Sequence, residues 1–416
     1  MKPMIRTLCL CLVSLIVASC ATLPSNNLDL FQRSMEIRDP DREAEILSKA
    51  SVTATRDPGL NHLKVIHLKG TPYEMGFQHG RLLRKEVRES VNHVMKLASL
   101  YAKQEMMDEV YDLMAPYIPL EEKEEMRGLA HGAGLPLRLV HWYHSIPAVS
   151  EYKYKKRFSR GFTGTSCSNM VVFDRATVDG RMYQMRVLDW NRQMGVHRWP
   201  VILVHDPDVG NASVTYSFAG FIGCVTGMND QNMAFGEMGY GNPDNETLEG
   251  IPFVFLFRKL MREASSLDQA VAMIKTAKRT CSYVYLISDA KRSEAETNAL
   301  MFISDRDRVL TFRENTVLSD ERDGDLFPAM DDTLYAGAES EKLYQALTAG
   351  YGALDAPALM EISKQVSLKG NIQNVVFKPE TLESWSSYAT TSDPDDEAGK
   401  ACNQKWFYFD FKKALD

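Results

Sequence analysis

The sequence predicts an α+β fold rather than a regular βαβ alternation, and two textures carry that reading. Before about residue 150 apolar side chains recur at helical spacing, as in Val87, Val91, Val94, Met95 and Ala98 with Lys, Arg and Glu between them. That spacing marks amphipathic helices facing a core. After Cys167 short apolar runs punctuated by turns take over, and they are grouped around paired helical stretches. Such grouping points to layered sheets and helices.

Taken in order, residues 63–68 interleave apolar and polar side chains and stop at Lys69-Gly70, which reads as a strand. A long helical stretch follows Gly70-Thr71-Pro72 and runs through Leu100 and beyond, with further helices at 120–130 and 135–145. Strands are expected at 168–173, 182–188, 200–205, 213–218 and 233–238. Helices follow at 253–263 and 267–277, the second opened by the cap candidates Ser265-Ser266. Strands resume at 282–287, 299–303 and 309–312; helices at 340–347 and 357–366 precede closing strands at 372–377, 384–388 and 406–411. The acidic cluster 393–397 reads as a solvated loop.

Hydrophobic residues at 44% and charged residues at 25% of 416 disfavour both disorder and a wholly membrane-embedded chain. A net charge of −7 disfavours nucleic acid as partner, because phosphate binding needs a dense basic surface. Lys2 and Arg6, the apolar run 7–17 and small residues before Cys20 form an export signal, and 15–20 resembles a bacterial lipobox. The expected organisation is a lipoprotein signal over 1–20 with Cys20 lipidated, a polar tether over 21–62, and one folded domain over 63–416. That places the protein on the bacterial cell envelope, facing the periplasm or exterior and touching the membrane only through its lipid.

Four of the seven cysteines, Cys167, Cys224, Cys281 and Cys402, lie beyond this leader, and the sequence leaves their pairing open. No short Cys-x-x-Cys or His-x-x-x-His spacing is present, so neither metal nor cofactor is expected. His141 and His144 read as an incidental helix pair, and His79 as a packing or capping residue.

The stretch 164–190 carries the candidate chemistry. If the strand after Cys167 turns around 177–180 and returns, partner positions sum to about 356–359, which sets Cys167 opposite Asp189 or a residue just beyond. Arg186 lies three residues before Asp189, within reach of the same end. A thiol with a pKa of about 8.5 needs a base or a cation to become thiolate. A cysteine at a chain terminus carries its own base, since an α-amine titrates at about 7.7–8.0. All nine histidines lie at or before His205, which weakens a papain-like dyad. The plain alternative is a buried structural thiol.

Cys167-Ser168, Asp179-Gly180 and Arg186-x-x-Asp189-Trp190 together resemble the N-terminal-nucleophile amidohydrolases. Within them the chain is most similar to the isopenicillin N acyltransferase-like family, with the bile salt hydrolases more distant. The segments 73–80, 227–230 and 374–380 support the match in order. The resemblance implies a four-layer αββα sandwich with a helical N-terminal segment. It also implies self-cleavage between Ser166 and Cys167, and attack by Cys167 on the linear amide of an N-acylated small molecule through an acyl-enzyme. Cys167, Arg186 and Asp189 match the family's nucleophile, arginine and aspartate. Ser166 stands where a glycine is common. Asn229, in a Gly-Met-Asn setting, is read either as the oxyanion asparagine or as a turn-former. The implied activity is hydrolysis or acyl transfer; the competing class is a non-catalytic binding lipoprotein that kept the scaffold.

Overall fold

The computed structural model describes residues 39–55, 57–60, 63–152, 167–240, 245–291, 298–316, 318–320 and 324–416. The chain divides into a short unit ending at Lys49 and a large one, Ala50–Asp416. In the first, α1 (Pro40–Ser48) begins after an Asp39 cap with proline at its first position. In the second, β1 (Ser51–Ala54) pairs with β2 (Lys64–Gly70). Over these described residues a helix and a strand therefore replace the expected tether. The export signal, Cys20 and Ser166 lie outside the described residues.

Five helices follow β2: α2 (Pro72–Leu82), α3 (Arg84–Ala98), α4 (Gln104–Met114), α5 (Leu120–Ala133) and α6 (Leu137–Glu151). A capping box fixes the start of α2, with Thr71 Oγ1 accepting from the Glu74 N–H and Glu74 Oε2 from the Thr71 N–H. Gln78 on α2 ties the helix back to β2 through both backbone groups of Lys69, at 2.9 and 2.8 Å. Helices α2 and α5 cross through glycines: a Cβ on Gly76 would lie 2.0 Å from the Glu125 carbonyl oxygen, and one on Gly128 would lie 2.1 Å from that of Tyr73. Only hydrogen at those positions lets the backbones meet.

Two sheets form the centre. The larger runs β1, β2, β5 (Pro200–Pro207), β6 (Ser213–Phe218), β7 (Thr226–Asn229), β8 (Met233–Gly239), β9 (Tyr283–Asp289), β10 (Ala299–Ser304), β11 (Val309–Arg313). All its pairings are antiparallel except β2 with β5. A separate two-stranded ribbon pairs β12 (Leu318–Asp320) with β13 (Gly324–Phe327). The smaller sheet is wholly antiparallel: β14 (Thr333–Gly337), β3 (Ser168–Val172), β4 (Tyr183–Asp189), β15 (Asn371–Lys378), β16 (Glu383–Tyr388), β17 (Phe407–Asp410). β3 and β4 pack against β8 and β9, and every residue of β3, β4 and β9 is buried, as inner strands of a sandwich must be.

Alternation along the strands sorts the two faces of the smaller sheet. Met170, Val172, Met185 and Val187 join Leu343, Leu347, Leu359 and Ile362 in one apolar cluster, which docks helices α9 (Ser340–Gly350) and α10 (Ala356–Val366) outside it. On the larger sheet, Tyr283 and Tyr285 of β9 meet Phe253 and Phe257 of α7 (Phe253–Glu263) at ring separations of 4.4 and 5.0 Å, and α8 (Leu267–Thr276) lies beside it. The result is a helix–sheet–sheet–helix layering with a helical segment ahead of it, the α+β sandwich expected from the sequence.

Candidate active site

Cys167 is wholly buried at the start of β3. The hairpin register pairs Ser168 with Val187 and Asn169 with Arg186, so pairs sum to 355 and extending the pattern sets Cys167 against Leu188. This is one position short of the range the turn geometry suggested, because a 3₁₀ turn at Asp174–Ala176 consumes residues that a plain hairpin would leave in the strands. A shift of one exchanges faces. Arg186, not Asp189, therefore shares the Cys167 face, between the two sheets.

Arg186 spans that layer. Its Nη2 lies 3.2 Å from Cys167 Sγ and 2.9 Å from Glu237 Oε2, while its Nε donates to the Glu237 carbonyl oxygen at 3.1 Å. Arg186 and Glu237 are each 1% exposed. Gly236 makes this approach feasible, since a Cβ there would lie 2.4 Å from Asn169 Oδ1 and 3.3 Å from Arg186 Cγ. Glu237 is the residue that sequence reasoning missed. One acidic side chain in the otherwise apolar run Met233–Gly239 was the available signal.

Asp189 ends β4 on the other face. Leu368 N–H donates to its Oδ1 at 3.1 Å, and Oδ2 has no hydrogen-bond partner among the described residues. Burial pushes its carboxyl up to about 7, against the opposing pull of the Leu368 N–H, the Asn371 side chain, Arg186 and Lys400. Its backbone N–H favours the Cys167 thiolate, while its carboxylate charge disfavours it. Burial also raises the Cys167 thiol well above its ordinary range; Arg186 opposes that rise, and the Glu237 and Asp189 charges reinforce it. Cys167 is thus a protonated thiol beside a cation already paired with Glu237.

Asn229 does not join this group. Its Nδ2 donates to the Met261 and Ala264 carbonyls at 3.0 and 2.9 Å, and its Oδ1 accepts from the Gln231 and Met233 N–H groups at 3.2 Å each. All its capacity goes to pinning the β7–β8 turn to the end of α7. Glu237 lies four positions along β8 from Met233, about 13 Å at strand rise. The turn-former reading is the one the structure selects. A different asparagine, Asn371, is fully buried and register-paired with Asp189 at the start of β15.

A pocket of about 70 Å³ opens on Arg186 and Glu237. Its remaining walls are nearly all apolar, among them Val94, Tyr143, Phe218, Phe221, Val225 and Phe253. Cys167, Cys224, Cys281 and Cys402 are all free thiols. Among the described residues no cluster of three or more His, Cys, Asp or Glu could hold a metal ion.

Over 391 residues the chain is 26% identical to an uncharacterized protein of Archaeoglobus fulgidus, covering 79% of this chain and 64% of that one. It is 24% identical to protein dcd1B of Dictyostelium discoideum over 367 residues, 80% of this chain and 70% of the relative. Protein dcd1A of the same organism is 27% identical over 259 residues, with 54% and 55% covered. The chain thus spans roughly half to two thirds of the length of these relatives. Among solved structures, a Caenorhabditis elegans N-acylethanolamine-hydrolyzing acid amidase ortholog superposes with TM-score 0.39 at 12% identity, over 58% of this chain and 100% of that one. Penicillin V acylase from Agrobacterium tumefaciens gives 0.37 at 11%, over 59% and 87%. Superpositions this loose bear on no argument about activity. Residues 179–316 match the family described as acyl-coenzyme A:6-aminopenicillanic acid acyl-transferase. That match spans 138 of the 416 residues, the segment that supplies Arg186, Asp189 and Glu237, and it is a similarity to the acyl-transferase family that the sequence resembles.

Proposed function

We propose that the protein is a cysteine-nucleophile hydrolase or acyltransferase acting on linear amide bonds of N-acylated small molecules. In this reading it is exported, anchored through a lipid on Cys20, and cut by its own Cys167 between Ser166 and Cys167. The observation that carries the reading is the 3.2 Å approach of Arg186 Nη2 to Cys167 Sγ, with the same arginine lining an apolar pocket.

Maturation begins when Sγ attacks the Ser166 carbonyl carbon and displaces the Cys167 amide nitrogen, which takes up a proton; water then hydrolyses the thioester. The products are a Ser166 carboxylate and a free Cys167 α-amine. That amine, with a pKa of about 7.7–8.0, supplies the base that the buried thiol lacks in the uncut chain. In turnover the amine accepts the thiol proton while Sγ bonds to the substrate carbonyl carbon. As the carbon–nitrogen bond breaks, the leaving amine takes that proton. Water or a second amine then attacks the thioester and releases the thiolate. Arg186 stabilises the thiolate, and Asp189 orients the new amine.

Purified wild-type protein is expected to run as two fragments, with N-terminal sequencing of the larger one starting at Cys167. Cys167→Ala stays uncut and turns over no member of a panel of N-acyl amides. A single full-length band from active wild-type protein would refute the self-cleavage, and an active Cys167→Ala protein would refute the nucleophile.

A further inference from the structure

We propose that His79 and His144 are specificity-positioning residues, two neutral imidazoles that hold the 219–225 loop in place as a wall of the pocket. This rests on the reading of Cys167 and Arg186 as the reacting centre. The loop joins β6 to β7, and Phe218, Phe221 and Val225 in and beside it line the pocket above Arg186 and Glu237. Its backbone N–H groups need partners because the segment is buried. Ala219 donates to the Trp199 carbonyl at 2.8 Å, Phe221 to that of Phe218 at 2.9 Å and Cys224 to that of Val254 at 3.0 Å. Two more donors go to histidines: Gly220 N–H to His79 Nε2 at 3.1 Å, and Ile222 N–H to His144 Nε2 at 2.9 Å.

An imidazole nitrogen accepts only when unprotonated, so both rings are neutral with the proton on Nδ1. For His144 that tautomer is held by Nδ1–H donating to the Val140 carbonyl at 2.8 Å, one turn back on α6. His79 Nδ1 is buried with no hydrogen-bond partner among the described residues, which leaves its hydrogen bond to Gly220 as the one this ring makes there. Burial supports the neutral forms, lowering His79 to about 3 and His144 to about 4. The His144 ring also stacks on Phe221 at 5.1 Å and 6°, while Tyr143 meets Phe221 edge-on at 5.9 Å. One side chain thus sets both the loop backbone and the aromatic face that the pocket presents. Gly220, at φ +90°, lets the chain turn tightly between the two anchors.

The test compares His144→Phe, which keeps the stack and loses the acceptor, with His144→Gln, whose amide oxygen can restore the acceptor. Substrates are 4-nitroanilides of acetyl, butyryl, hexanoyl and octanoyl chains. Binding of the matching carboxamides is followed by tryptophan fluorescence, since Trp190 lines the pocket. His144→Phe is expected to raise KM and weaken carboxamide binding by about tenfold for the chain length that the wild-type protein prefers. Its kcat should change little, the preference among lengths should flatten, and His144→Gln should recover the wild-type order. Equal losses at every length, or identical behaviour of the two variants, would overturn the proposal. If the wild-type protein hydrolyses none of the anilides but binds the carboxamides by length, the catalytic reading fails, while the fluorescence arm still decides the role of His144.

Discussion

Glu237→Gln separates an electrostatic partner from a space-filling one. Because Cys167 Sγ and Glu237 Oε2 both sit on Arg186 Nη2, they lie no more than about 6 Å apart. At an effective dielectric near 20, two unit charges at about 6 Å interact by about 3 kcal/mol, equivalent to about 2 pKa units. Glutamine keeps the shape and can still accept from the guanidinium, so removal of the negative charge is the main change. The Cys167 thiol is then expected to titrate about 2 units lower than in the wild-type protein. Stability is expected to fall by about 3 kcal/mol, the lower end for an uncompensated buried charge, because Arg186 loses its counter-ion. The assay is ultraviolet thiolate absorbance against pH, with the same substitution in a Cys167→Ala background subtracted so that the remaining cysteines cancel. Denaturant unfolding supplies the second number. A thiol titration unmoved from the wild-type curve would refute the claim that Glu237 holds the Arg186 charge away from the sulfur.

Three further outcomes follow from the same geometry. Asp189 is raised by burial to about 7 in the folded chain, so its contribution to stability is fully present below the ordinary carboxylate range and is lost as pH rises through 7. Asp189→Asn should remove that slope, about 1.4 kcal/mol per pH unit between the two pKa values, in unfolding measurements from pH 4 to 8. Asn229→Ala should cost about 2 kcal/mol of stability, since it leaves the Gln231 and Met233 N–H groups without their acceptor while the Met261 and Ala264 carbonyls keep the Asn211 amide, yet leave kcat/KM unchanged. Gly76→Ala should lower stability by about 3 kcal/mol or prevent folding, because the added methyl meets the Glu125 carbonyl at 2.0 Å, and chemical denaturation reads the loss.

Long periodic segments were legible in the sequence. The helices at Phe253–Glu263 and Ala356–Val366 and the strands Ser213–Phe218 and Asn371–Lys378 fall close to their expected bounds. The elements that escaped are short or sit beside stronger signals: β1 lies in a polar stretch read as a tether, β7 is four residues long, and β14 spans Thr333–Gly337. The helix Gln104–Met114 was absorbed into an undivided helical run, which the structure breaks at Leu83 and again over 99–103. At the site, Cys167, Arg186 and Asp189 were named because they crowd one hairpin. Their relative faces were not, since an internal 3₁₀ turn moves the register by one. Glu237 was out of reach because its meeting with Arg186 depends on how two sheets stack, and no local spacing encodes that. Asn229 shows the converse: a familiar tripeptide drew attention to a residue whose hydrogen bonds are all spent on a turn.

The parallel pairing of β2 with β5 gives the proposed cut a thermodynamic meaning. Lys64–Gly70 runs in register with Val201–Pro207, so the chain before Cys167 supplies the edge strand β1 and the interior strand β2 to a sheet built mostly by the chain after it. Once severed, the molecule would be a heterodimer whose interface is a shared hydrophobic core. Its fragments could not part without unfolding, and its midpoint of melting would rise with protein concentration, as that of an uncut monomer does not. Refolding would become bimolecular, and the cut would act as a ratchet: the fold assembles as one chain and survives afterwards as two.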